Sequence, residues 1–196
     1  MTTIKSYLDA LDAFATPPQG YAYASLHDFV RDRGTYEVSA PLTREQREYI
    51  RSLTKGERFR VRECFANAQR LVLADARAER RLRYREGFAL ATTLPVLHAW
   101  VVLDGERVID PTWRVRDAKP LRTVRGEFPD SWAYLGCNVA SAEEIRERCV
   151  RTREWSSVID NWRDEHPCLR MERLAPRPTA LADKLHELRE QFVTPA

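Results

Sequence analysis

Apolar positions recur at helical spacing in three stretches of this chain and alternate in its middle. Ile4, Leu8, Leu11 and Ala15 predict an amphipathic helix over residues 3–15, closed by Thr16-Pro17-Pro18-Gln19-Gly20. Phe65, Ala68, Val72 and Ala76 make the apolar stripe of a second helix that begins at Cys64. Leu181, Leu185, Leu188 and Phe192 predict a closing helix beyond a Pro-rich linker at 175–179. Cap signals add three more helices. Ser25 with Asp28 marks a short one, Thr43 with Gln46 opens one that stops near Gly56, and Ser141 with Glu144 opens a long charged one to about Asp164. Residues 84–90 alternate as a strand, and 95–103 with 107–110 read as a hairpin around Asp104-Gly105. The stretch 114–137 reads as irregular. Helices, then antiparallel strands, then helices define an α+β class.

At 196 residues the default is a single domain, 1–196, with a core at about 55–137, N-terminal helices in 1–54 and C-terminal helices in 138–196. Thirty-two basic against 29 acidic residues leave a net charge of +3, too small to steer the whole chain toward nucleic acid. The one Arg run, Arg77 to Arg85, is broken by Glu79, is followed by Glu86, and begins as a solvated helix end. The N-terminus has neither a basic n-region nor an apolar h-region, and the most apolar stretch, 89–103, is too short to span a bilayer. The expectation is a cytoplasmic protein, with no membrane or nucleic-acid partner and with four reduced cysteines. No Cys-x-x-Cys pair occurs, and Pro167 separates His166 from Cys168, so no metal and no cofactor is expected.

Candidate chemistry lies in three segments: Cys64-Phe-Ala-Asn67-Ala68, His98-Ala-Trp100 and Asp110-Pro-Thr-Trp113. A thiol, an imidazole and a carboxylate are the parts of a nucleophilic site, the imidazole moving the proton and the carboxylate fixing its tautomer. A helix N-terminus at Cys64 favours thiolate, and its free N–H groups suit an oxyanion. A buried structural cysteine is the competing reading of Cys64 alone, and a local structural hydrogen bond that of Asn67. Trp100 on the face of His98, and Trp113 just past Asp110, would keep water from the His–Asp bond or simply pack the core.

Hairpin register decides whether His98 and Asp110 can meet. A two-residue Asp104-Gly105 loop gives paired positions that sum to 209 and puts the two on opposite faces. A three-residue loop, Leu103-Asp104-Gly105 with Gly105 at positive φ, gives 208 and sets His98 opposite Asp110. The chemistry requires the second, which is therefore the expectation.

Cys-x-x-Asn-Ala at 64–68, Tyr84-x-Glu-Gly87, His98-Ala-Trp100 and Asp110-Pro-Thr-Trp113, with Tyr134-x-Gly136 as a weaker continuation, resemble the transglutaminase-like branch of the papain-like cysteine peptidase superfamily. The resemblance covers residues 55–137. It implies a nucleophile helix packed against an antiparallel sheet, with Cys64 as nucleophile, His98 as base and Asp110 as orienter. It implies hydrolysis or acyl transfer at an amide or related acyl bond of a peptide, protein or small amide. The papain-type Gln before the Cys is absent from 57–63, and Gln19 is far upstream, so the second oxyanion donor is open among Asn67, Tyr84 and a backbone group. The alternative function is an inactive interaction module that keeps the fold.

Overall fold

The computed structural model describes residues 3–12, 15–37, 41–90, 93–113 and 133–170. The expected linker at 175–179 and the closing helix lie outside them. Among the described residues, five α-helices and five strands make a mixed α+β fold. The helices are α1 (Ile4–Asp12), α2 (Leu26–Arg33), α3 (Arg44–Thr54), α4 (Cys64–Asp75) and α5 (Ala142–Thr152). The strands are β1 (Thr35–Glu37), β2 (Leu82–Leu90), β3 (Val96–Leu103), β4 (Arg107–Ile109) and β5 (Ala133–Cys137), and they form one antiparallel sheet in the order β1-β5-β2-β3-β4.

Local chemistry sets most helix ends. Thr43 and Ser141 each close a capping box, with Gln46 and Glu144, and Ser25 Oγ accepts from the N–H groups of His27 and Asp28. Three expectations are corrected. The charged helix from Ser141 ends at Thr152, because Arg153 turns left-handed (φ 57°) and an irregular segment follows. The far end of the expected irregular stretch is β5, an inner strand between β1 and β2, and β1 carried no signal in the alternation. On α4, Ala68 and Val72 are buried, but so are Cys64, Asn67, Leu71 and Asp75, so the buried side is wider than the expected stripe.

Register divides the sheet into two faces. Tyr84, Glu86 and Phe88 lie beside Val101, Ala99 and Leu97 on one face, with Leu135 and Cys137 of β5. That face packs on α3, α4 and α5 through Ile50, Leu71, Val72 and Ile145, and on α1 and α2 through Ile4, Leu8, Phe29 and Val30. Burial of these side chains is the main stabilising term, about 1.5–3 kcal/mol for each large one. The opposite face carries Ala89, Trp100, Val102, Val108 and Tyr134. His98 belongs to it, in one cross-strand row with Gly87 and Gly136. No helix among the described residues is long and apolar enough to cross a membrane.

The hairpin corrects the expected register. Leu103 pairs with Arg107, Val102 with Val108 and Val101 with Ile109, a sum of 210. The loop is Asp104-Gly105-Glu106, not Leu103-Asp104-Gly105. Asp104 (φ 54°) and Gly105 (φ 77°) both turn left-handed, as a type I′ turn demands, and Glu106 is the extra residue before pairing resumes. The parity of the sum is what matters for the chemistry. An even sum keeps His98 and Asp110 on one face, displaced along the strands instead of directly opposed.

Gly136 shows how tightly that face is built. A Cβ there would lie 2.4 Å from Cζ2 of Trp100, whose indole fills the space the glycine leaves. Gly136→Ala should therefore cost about 1–3 kcal/mol by overpacking, read as a lower urea midpoint at unchanged m-value.

Candidate active site

Cys64 is the first residue of α4, and Glu63 at the cap makes no side-chain cap hydrogen bond. The first turn of the helix thus keeps N–H groups that no side chain occupies. The thiol is buried, at 9% exposure. His98 is reached because β4 pairs with β3 only from Val101 to Leu103, which leaves the His98 end of β3 without a β4 neighbour. There the chain leaves the ladder at Asp110-Pro111, and α4 is tied to it by Asn67 Nδ2 donating to Thr112 Oγ1 at 2.9 Å.

The His98 Nε2 lies 2.7 Å from Asp110 Oδ2, with both side chains buried. Cys64 is a further hydrogen-bonding and Coulombic partner of the same imidazole. Burial alone would push the imidazole pKa down. The charge and hydrogen bond of Asp110, with Cys64 as the further partner, outweigh burial and hold it up at about 9.

Asp110 is saturated. Oδ2 accepts from His98 and, at 3.0 Å, from the Tyr134 hydroxyl; Oδ1 accepts from the N–H groups of Thr112 (2.8 Å) and Trp113 (3.0 Å). An ionised carboxylate has about four acceptor sites, and four donors fill them. Trp113 stacks on the imidazole at 4.1 Å between centroids, Trp100 lies beyond at 6.3 Å in nearly parallel orientation, and Tyr134 meets Trp100 edge-on. The Trp113 face stacked on the ring favours an imidazolium there.

The candidate side-chain oxyanion donors are used elsewhere. Asn67, fully buried, accepts from Arg60 N–H and donates to Arg60 C=O and to Thr112, so it clamps the loop before Cys64. The Tyr84 hydroxyl donates to Glu86 and accepts from Gln69 Nε2 at 3.1 Å. Among the described residues, the helix N–H groups are what the site has left for an oxyanion.

Sequence reasoning gave Glu86 no role. It is fully buried and accepts from Ser157 Oγ (2.7 Å), Val158 N–H (2.7 Å), Ile159 N–H (3.0 Å) and Tyr84. Burial pushes its carboxyl pKa up, against the pull of these donors. The signal was present: Glu86 sits between Tyr84 and Phe88 on the core-facing side of an alternating strand.

All four cysteines are free thiols. Burial pushes the Cys137 thiol up to about 12 and the Cys149 thiol up as well, which makes both poor nucleophiles. Among the described residues no group of three or more His, Cys, Asp or Glu could hold a metal ion. No protein-family model matches this chain, and comparisons with curated proteins and with solved structures find no match either.

Proposed function

We propose that this protein is a cysteine hydrolase or acyl transferase of the transglutaminase-like branch of the papain-like superfamily, acting on an amide or related acyl bond through Cys64, His98 and Asp110. The observation that carries the reading is the His98 ring, bonded to buried Asp110 on one side and partnered by Cys64 on the other. The thiol proton passes to Nδ1 of His98, and the sulfur attacks the carbonyl carbon. A C–S bond forms, and the carbonyl electron pair moves to oxygen, where N–H groups of the first turn of α4 receive it. Collapse breaks the C–N bond, and His98 returns the proton to the leaving nitrogen. Water or an amine then attacks the thioester, giving up its proton through His98, and frees the thiol.

Iodoacetamide labelling at neutral pH, read by peptide mapping, tests this. Cys64 should react at least tenfold faster than Cys137 and Cys149, and His98→Ala should remove most of that advantage. Equal labelling of the folded protein at all four cysteines overturns the assignment and leaves the inactive interaction module as the better account. Intact-mass spectrometry with a panel of acyl donors then identifies the acyl group trapped on Cys64.

A further inference from the structure

Asp110 Oδ2 is shared. It accepts from His98 Nε2 at 2.7 Å and from the Tyr134 hydroxyl at 3.0 Å. His98 is therefore not the sole donor to the oxygen that orients it. Tyr134 stands on β5 and Asp110 just past β4, with β2 and β3 between those strands in the sheet. On this face β2 carries Gly87 and Ala89, small enough for a phenol to cross. The phenol is held in place. Tyr134 pairs with Glu37 of β1 on one side and Ala89 of β2 on the other, and it is fully buried. Its ring meets Trp100 edge-on at 5.0 Å and leans on Trp113 at 6.1 Å between centroids. Burial, and then the charge and hydrogen bond of Asp110, push its pKa well above the ordinary range, so the hydroxyl keeps its proton and stays a donor near neutral pH.

A donor on a carboxylate oxygen drains charge from it. The pull of Oδ2 on an imidazolium is then smaller than it would be with His98 as its only partner. His98 has two opposed tasks in the proposed reaction. It takes the thiol proton, which a strong Asp110 favours. It then returns that proton to the leaving nitrogen, which a strong Asp110 hinders. Among the described residues, titratable side chains meet the His98–Asp110 pair from two other elements, Cys64 on α4 and Tyr134 on β5. Cys64 is the group that reacts, and Tyr134 is the group that bears on the balance.

We propose that Tyr134 is a positioning residue of this site: its hydroxyl, acting through Asp110, weakens the hold of the carboxylate on His98 and keeps the imidazolium able to give its proton back. The proposal rests on Cys64 being the nucleophile. Its test uses Tyr134→Phe, which keeps the ring against Trp100 and Trp113, and Tyr134→fluorotyrosine, whose hydroxyl is the stronger donor. In a Cys64→Ala background, where no thiol titrates beside it, the NMR titration midpoint of His98 should rise by roughly 0.5–1 pH unit in Tyr134→Phe and fall in Tyr134→fluorotyrosine. With Cys64 present, acylation by an anilide should slow about 3- to 10-fold in Tyr134→Phe. Acylation by the p-nitrophenyl ester of the same acyl group, which leaves without a proton, should not slow. Tyr36→Phe, on an exposed tyrosine of β1, should change neither result. The fluorinated variant differs from the natural residue by one ring substituent, so it keeps the test open if the lost hydrogen bond costs Tyr134→Phe its fold. A His98 midpoint that neither substitution moves, or equal slowing of anilide and ester, overturns the proposal alone and makes Tyr134 a packing residue. Iodoacetamide alkylation of Cys64 in the wild type no faster than in the unfolded chain overturns the nucleophile reading on which it rests.

Discussion

Asp110→Asn should lower turnover of any acyl donor that acylates Cys64 by roughly 10- to 1,000-fold, while leaving the fold intact. The geometry gives the reason. Oδ1 of Asp110 accepts from two backbone N–H groups, so the asparagine oxygen will be drawn to that side. Its NH₂ then faces His98 Nε2, where a donor now meets a nitrogen that had been donating. The imidazole must present Nε2 as acceptor and carry its proton on Nδ1, the tautomer that cannot take a proton from Cys64. In a serine-protease triad the equivalent substitution costs about 10⁴ in rate. A thiol needs less help from its base than a hydroxyl does, which sets the smaller range. An unchanged rate would make Asp110 a structural turn residue.

The same substitution has a pH signature. The folded-state pKa of His98 is raised from 6.5 to about 9, so its protonation favours the folded state. That contribution, up to about 3 kcal/mol, is fully present below pH 6.5 and is lost as pH rises through 9. Urea midpoints at pH 6 and pH 10 should differ more for the wild type than for Asp110→Asn. In the variant, burial is left to push the imidazole pKa down, and His98 should titrate below its ordinary range by NMR.

How much of this was legible in the sequence depended on the range of the interaction. Capping boxes at Thr43 and Ser141 act within four residues, and both form as read. The alternation of β2 and β3 gave their spans to within two residues. The hairpin sum was misread by two, because a type I′ turn at Asp104-Gly105 and an unpaired Glu106 coexist, and no residue in the pattern marks the extra one. β5 escaped because Ala133-Tyr-Leu-Gly-Cys137 is short, interrupted by glycine, and paired with residues about 50 positions away. That glycine is itself informative: Gly136 leaves room for the Trp100 indole. Asn67 was read in its right helix, but its partners, Arg60 and Thr112, required the fold.

Glu86→Ala should be the most destabilising single change in the described part of the chain, at about 3–5 kcal/mol. Two terms add. Removing the side chain opens a cavity in a packed interior. It also strands four donors on buried residues, namely the hydroxyls of Tyr84 and Ser157 and the N–H groups of Val158 and Ile159. Against a total stability of about 5–15 kcal/mol, that is enough to populate unfolded chain near physiological temperature. Glu86→Gln, which keeps the shape and one acceptor oxygen, should cost roughly 1–3 kcal/mol, since its NH₂ faces donors on one side. Because the carboxylate anchors the segment that carries Trp155, amide exchange at Val158 and Ile159 should accelerate in Glu86→Gln while exchange in β2 and β3 stays slow. Denaturation midpoints give the first result and exchange mapped by residue gives the second. Full stability in Glu86→Ala would mean that Ser157, Val158 and Ile159 find other partners, and that Glu86 does not anchor their segment to the sheet.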